Sequence, residues 1–153
     1  MTTRILFVCL GNICRSPAAE GVFRTFADQA GLALVLDSAG TAGWHIGKAP
    51  YGPMQEAAMT RGYDLSDLRA RQFTAADFDD FDLIIGMDMD NIAAIKTKRP
   101  NGNTTAVRLF TDYTGDSKAS DIPDPYYTRD FTGALTLIES ASRGLIADLE
   151  ANP

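Results

Sequence analysis

Residues 5–17 read Ile-Leu-Phe-Val-Cys-Leu-Gly-Asn-Ile-Cys-Arg-Ser-Pro. Ile5 to Val8 is an unbroken apolar run of branched and aromatic residues, the pattern of a strand buried on both faces. The run gives out at Gly11-Asn12. Beyond Ser16-Pro17, where Ser16 is suited to cap and Pro17 to open a helix, apolar residues recur at Ala19, Val22, Phe23, Phe26 and Ala30. That spacing predicts an amphipathic helix closed by Gly31. Residues 5–31 therefore read as strand, glycine-bearing loop and helix.

The same alternation continues outward. Leu32 to Leu36 reads as a second buried strand. Asp37 to Pro53 follows, a turn-rich stretch whose glycines and prolines argue against a regular element. Met54 to Arg61 carries a helical pattern that stops at Gly62, Leu83 to Met87 reads as a third strand, and Asn91 to Lys98 as a helix stopped by Pro100 and Gly102. Thr105 to Leu109 is a fourth strand, and Phe131, Ala134, Leu135, Ile138, Leu145 and Leu149 space out a closing helix. Strands alternating with helices call for right-handed crossovers and a parallel sheet with helices on both faces. The expected architecture is one doubly wound, three-layer α/β domain over residues 1–153, with its ligand crevice beyond the carboxyl ends of the strands.

Composition narrows the chemistry. The chain has 153 residues, 45% hydrophobic and 22% charged, proportions that fit a folded domain and exclude a disordered, collagenous or disulfide-scaffold protein. Its net charge of -6 opposes general nucleic-acid binding, which needs cations for the phosphates. Any anion it handles must meet a small local positive site. Cys9 and Cys14 are too few for a disulfide framework, and the single histidine, His45, leaves a zinc site short of ligands. The N-terminal apolar run is too short for a signal peptide or a membrane span. These features lead to the expectation of a cytoplasmic protein without metal, cofactor, nucleic-acid partner or membrane insertion.

The loop between the first strand and helix, Cys9-Leu10-Gly11-Asn12-Ile13-Cys14-Arg15-Ser16, lacks the G-x-x-x-x-G-K-[ST] of a nucleotide P-loop. It begins with a thiol and ends with an arginine, C-x5-R-S. A backbone curled here would converge its amides and the positive helix end on an anion. A thiol in that setting is the kind that acts as a nucleophile, and a guanidinium suits the paired oxygens of a phosphoryl group. Cys14, close to Cys9 in a curled loop, is a candidate redox partner able to capture an oxidised Cys9 as a disulfide.

The chain resembles the low-molecular-weight protein tyrosine phosphatases. The resemblance rests on VCLGNICRSP at 8–17, DSAGT at 37–41, RGYDLS and ARQF at 61–66 and 70–73, and DPYY at 124–127. It implies a four-stranded parallel sheet in the order 2-1-3-4. It also implies metal-independent hydrolysis of protein phosphotyrosine through a phosphocysteine, with tyrosine-phosphorylated proteins as partners and inorganic phosphate as product. By position, Cys9 is the nucleophile, Arg15 holds the phosphoryl oxygens and Asp124 is the general acid. Leu10, Gly11, Asn12, Ile13 and Cys14 form the phosphate loop, Trp44, Tyr126 and Tyr127 wall the cleft, and Asn12, Ser16 and Ser38 support the loop by side-chain hydrogen bonds.

Two positions depart from the family. A His common before Ala70-Arg71-Gln72, where it tethers the loop asparagine, is replaced by Leu68, so that tether must be missing or replaced. A frequent D-P-R is here Gly52-Pro53-Met54. Rival readings are a thiol-dependent arsenate reductase, which needs cysteines beyond Cys14, a phosphoarginine phosphatase, whose loop carries Thr in place of Ile13, and a non-catalytic phosphate-binding or redox-sensing module, against which Asp124 counts.

Overall fold

The computed structural model describes residues 2–115 and 120–152. Its centre is β1 (Thr3–Cys9), and the five residues Ile5 to Cys9 that follow its partly exposed start are buried. Successive side chains of a strand point to opposite faces, and β1 divides accordingly. Ile5, Phe7 and Cys9 enter one cluster with Val22, Phe23, Leu135, Ile138 and Leu145. Leu6 and Val8 enter another with Phe73, Phe78, Ile84, Ile92 and Ile95. An apolar run without alternation is thus what a central strand with cores on both sides requires.

The sheet has four parallel strands in the order β2-β1-β3-β4, the others being β2 (Leu34–Gly40), β3 (Leu83–Gly86) and β4 (Ala106–Leu109). One face carries α1 (Arg15–Gln29), α2 (Gly52–Met59) and the long α6 (Phe131–Ala151). The other carries the short α3 (Asp77–Asp80) and α4 (Met89–Thr97). A short α5 (Pro125–Thr128) precedes α6. The strand order reverses at β1, which has β2 on one side and β3 on the other, so the crevice opens at Cys9. Among the described residues no helix is long and apolar enough to cross a membrane.

Several boundaries differ from the sequence reading. β2 begins and ends later than Leu32–Leu36. Gly31, at φ 71°, ends the α1 turn, and Leu32 donates its amide back to Ala27, which keeps it out of the strand. At the far end the ladder runs through Leu6↔Asp37, Phe7↔Ser38, Val8↔Ala39 and Cys9↔Gly40. The polar Asp37 and Ser38 tolerate the sheet because Arg71 and Glu20 satisfy them. α1 starts at Arg15, so Ser16 lies inside the first turn and does not cap it. Met54, at the departure from D-P-R, is fully buried in the larger core.

Candidate active site

Cys9 ends β1 and α1 begins at Arg15, so residues 10–14 must turn back within one short loop. Asn12 makes the turn possible by taking φ 57°, a left-handed conformation that asparagine adopts more readily than most residues. The loop's carbonyls are tied outward: Thr41, Ala42 and Tyr51 donate their amides to Cys9, Leu10 and Ile13. Gly40 backs directly onto it, where a Cβ would lie 2.8 Å from the Leu10 carbonyl oxygen and 3.1 Å from the Asn12 nitrogen. With the carbonyls outward the amides turn inward. That of Asn12 donates to Cys9 Sγ at 3.3 Å, and those of Gly11, Ile13 and Cys14 meet no protein acceptor among the described residues. Inward amides at a helix N-terminus make an anion cradle.

Asn12 is 2% exposed and its side chain lies behind the loop. Its side chain is not among those lining the cleft, while its backbone amide faces Cys9 Sγ in the cradle. Its Nδ2 donates to Ser16 Oγ at 2.7 Å and Ser38 Oγ at 3.0 Å, and its Oδ1 accepts from the Arg71 backbone amide at 3.0 Å. With Leu68 unable to donate, that amide tethers the loop asparagine here. It is held there by its own side chain, clamped by Asp77 at 3.1 and 3.0 Å and by Asp37 at 3.0 Å. Leu68 is half-buried against the larger core instead.

Arg15 is 2% exposed. Its Nη1 donates to Asp88 Oδ2 at 2.6 Å and to the Ile122 carbonyl at 2.9 Å, and its Nη2 reaches Asp124 Oδ2 at 3.4 Å. Nε has no hydrogen-bond partner among the described residues. One edge of the guanidinium is thus fixed, leaving the Nε–Nη2 edge to grip an anion. Burial alone would lower the pKa of Arg15, but Cys9 and Asp88 outweigh it and hold it above its ordinary value.

Asp124 caps α5, its Oδ1 accepting the Tyr126 amide at 3.1 Å. Pro123 and Pro125 on either side restrict the backbone that carries it. Tyr126 continues an aromatic wall, its ring 5.2 Å from that of Tyr51 and 5.3 Å from that of Tyr127. Arg129 pins the wall by stacking over Tyr51 and Phe131 and donating to the Tyr51 hydroxyl at 3.1 Å.

These elements enclose a pocket of about 160 Å³ lined by Cys9, Leu10, Gly11, Ile13, Cys14, Trp44, His45, Asp124, Tyr126 and Tyr127. Of the catalytic and substrate-contacting residues read from the sequence, all lie there except Arg15 and Asn12, each 2% exposed behind the loop. His45 also lines the pocket, a place the sequence does not signal, since it is an isolated imidazole in a glycine-rich stretch with nothing beside it to mark it. Asp88 is likewise unmarked in the sequence. It sits before a helix, where an aspartate reads as a cap, and it does cap α4 through Asn91 at 2.7 Å while its other oxygen holds Arg15. Among the described residues no group of three or more His, Cys, Asp or Glu is placed to hold a metal ion.

Comparison with known proteins agrees with this architecture. The family model for low molecular weight phosphotyrosine protein phosphatase matches residues 4–153. The low molecular weight protein-tyrosine-phosphatase YfkJ of Bacillus subtilis is 43% identical over 148 residues, 95% of each chain. A low molecular weight protein-tyrosine-phosphatase of Streptomyces coelicolor is 44% identical over 155 residues, 96% of this chain and 93% of that one. The crystal structure of YfkJ superposes with a TM-score of 0.94 over 99% of this chain and 96% of that one, at 42% identity. A protein tyrosine phosphatase from Entamoeba histolytica gives 0.92 at 34% identity, covering 98% of both chains. The chain belongs to the low molecular weight phosphotyrosine protein phosphatase family.

Proposed function

We propose that the protein hydrolyses phosphotyrosine in proteins by way of a phosphocysteine on Cys9. The observation that carries this reading is the meeting of Cys9 and Asp124 in one pocket, a nucleophile at the loop and a carboxyl on the wall. The Cys9 thiolate attacks phosphorus in line, forming the S–P bond as the P–O bond to the phenol breaks. Asp124 gives the leaving oxygen its proton. The amides of Gly11, Ile13 and Cys14 and the free edge of Arg15 hold the equatorial oxygens where charge builds up. Water then attacks the S–P bond, Asp124 takes back a proton, and phosphate leaves with the thiolate restored.

The pocket's shape supports an aryl substrate. Trp44, 66% exposed, and Tyr127, 68% exposed, stand on its rim with Tyr126, apolar surfaces suited to a substrate phenyl ring. Ile13 adds an apolar contact and offers a guanidino leaving group no hydroxyl. We place the enzyme in the cytoplasm, because Cys9 and Cys14 are both free thiols and a nucleophilic thiol needs a reducing compartment to persist. The test is turnover of p-nitrophenyl phosphate and of a phosphotyrosine peptide by wild-type and Cys9→Ser protein. Both substrates are expected to be turned over by the wild type, with chelators present, and neither by the variant. Equal rates in the two proteins would overturn the reading.

A further inference from the structure

The short segment that carries Asp124 has few anchors of its own. Of α5 only Pro125 is buried, and Tyr126, Tyr127 and Thr128 are exposed. α5 closes on Arg129, which takes φ 64° and ψ 12° and donates its amide to the Pro125 carbonyl at 2.8 Å. A left-handed residue at the end of a helix is usually glycine, because a Cβ is strained there. An arginine held at this φ needs compensation from its side chain.

The side chain supplies it. The guanidinium lies over the Tyr51 ring at 5.3 Å and over the Phe131 ring at 5.2 Å, and Nη1 donates to the Tyr51 hydroxyl at 3.1 Å. Tyr126 of α5 packs its own ring 5.2 Å from Tyr51, and its carbonyl accepts from the same Nη1 at 3.4 Å. Arg129 is exposed, yet among the described residues no carboxylate pairs with it. Rings and a hydroxyl are its partners instead. Tyr51 is half-buried against the larger core, and its backbone amide donates to the Ile13 carbonyl at 2.8 Å. One side of Tyr51 is thus bonded to the loop that cradles the anion, and the other is gripped by the end of α5. This contact bridges the segments that carry Cys9 and Asp124.

We propose that Arg129 is a positioning residue for the reaction: through Tyr51 it clasps the α5 segment to the phosphate loop and so fixes where the Asp124 carboxyl stands relative to the Cys9 sulfur. The proposal deepens the reading of Asp124 as general acid and rests on it. With the clasp open, Asp124 is out of reach of the leaving oxygen for part of the time. The rate then falls most for leaving groups that most need a proton. A cation that merely attracted the phosphate would act alike on every aryl phosphate.

The experiment measures kcat/KM on p-nitrophenyl phosphate and on phenyl phosphate, together with thermal unfolding. Wild type, Arg129→Gly, Arg129→Asn, Asp124→Asn and the double variant Arg129→Gly/Asp124→Asn are compared. Glycine and asparagine both tolerate the left-handed φ, so the unfolding temperature is expected to change little. In each Arg129 variant kcat/KM is expected to fall roughly ten-fold on phenyl phosphate and only about two-fold on p-nitrophenyl phosphate. On phenyl phosphate the double variant is expected to be no slower than Asp124→Asn alone, since the clasp acts through that carboxyl. Equal losses on the two substrates, unchanged rates in folded Arg129→Gly, or losses that multiply in the double variant would overturn the proposal. Should Arg129→Gly not fold, a wild-type ratio of the two rates in Arg129→Asn does the same. Equal losses on the two substrates in Asp124→Asn would instead defeat the reading of Asp124 as acid.

Discussion

Asp88 Oδ2 stands 2.6 Å from Arg15 Nη1, although the two residues are 73 positions apart. The pair joins the first residue of α1 to the N-cap of α4, across the strand-order reversal. Asp88 thereby fixes which edge of the guanidinium faces the cradle, and its other oxygen caps α4.

Asp88→Asn separates these two jobs. Asparagine caps a helix about as well as aspartate, so α4 and the unfolding temperature are expected to change little. The charge-assisted bond to Arg15 is lost, and with it the fixed orientation. A fall in kcat/KM of roughly 10- to 100-fold is expected, in the range of losing one preorganised oxyanion contact. Steady-state kinetics beside a thermal melt checks this; unchanged kcat/KM in a folded variant would leave Asp88 as a cap alone.

Asp124→Asn removes the proposed proton donor but keeps the α5 cap, since an amide oxygen still accepts from Tyr126. The loss in kcat/KM is expected to grow as the leaving group becomes more basic, from p-nitrophenyl phosphate to phenyl phosphate. A leaving-group series with parallel lines for wild type and variant would count against an acid role.

Cys14 is governed by its surroundings in a way that suits a captor of oxidised Cys9. Burial, then the charges of Asp124 and Cys9, push its thiol up to about 12, so it stays protonated near neutral pH and competes for no substrate. Once peroxide converts Cys9 to a sulfenic acid, the Cys9 charge is gone. The Cys14 sulfur can then displace water to form the disulfide. Peroxide-treated wild type is expected to recover nearly all activity with dithiothreitol and to show a Cys9–Cys14 bridge by mass spectrometry. Cys14→Ser is expected to recover poorly. Full recovery of that variant would return Cys14 to a packing role.

The sequence exposes those parts of the molecule whose logic is local. Ile5 to Val8 reads as a central strand because a run without alternation has few other uses, and the strand–loop–helix that follows places Cys9 and Arg15 at once. The extension of β2 through Asp37 and Ser38 is hidden because their partners, Arg71 and Glu20, come from other elements. α3 and α5, four residues each, are too short to develop a periodicity. Asp88 and the Arg71 amide escape notice because their roles are set by tertiary contacts with Arg15 and Asn12. Glu20 falls on the inner face by its spacing from Phe23, yet an acid in a helix reads as a solvated residue until Ser38 is seen against it.

The central claim is a covalent phosphoryl group on Cys9, and rapid acid quench during turnover of an aryl phosphate tests it most directly. Peptides from enzyme quenched at steady state, wild type and Asp124→Asn, are analysed by mass spectrometry under conditions that preserve thiophosphate. A phosphoryl group is predicted on the peptide holding Cys9, at that sulfur and not at Cys14, and in the wild type it disappears once substrate is exhausted. Turnover at full rate with no phosphoryl group on Cys9 in either protein, at quench times shorter than one catalytic cycle, would contradict the account.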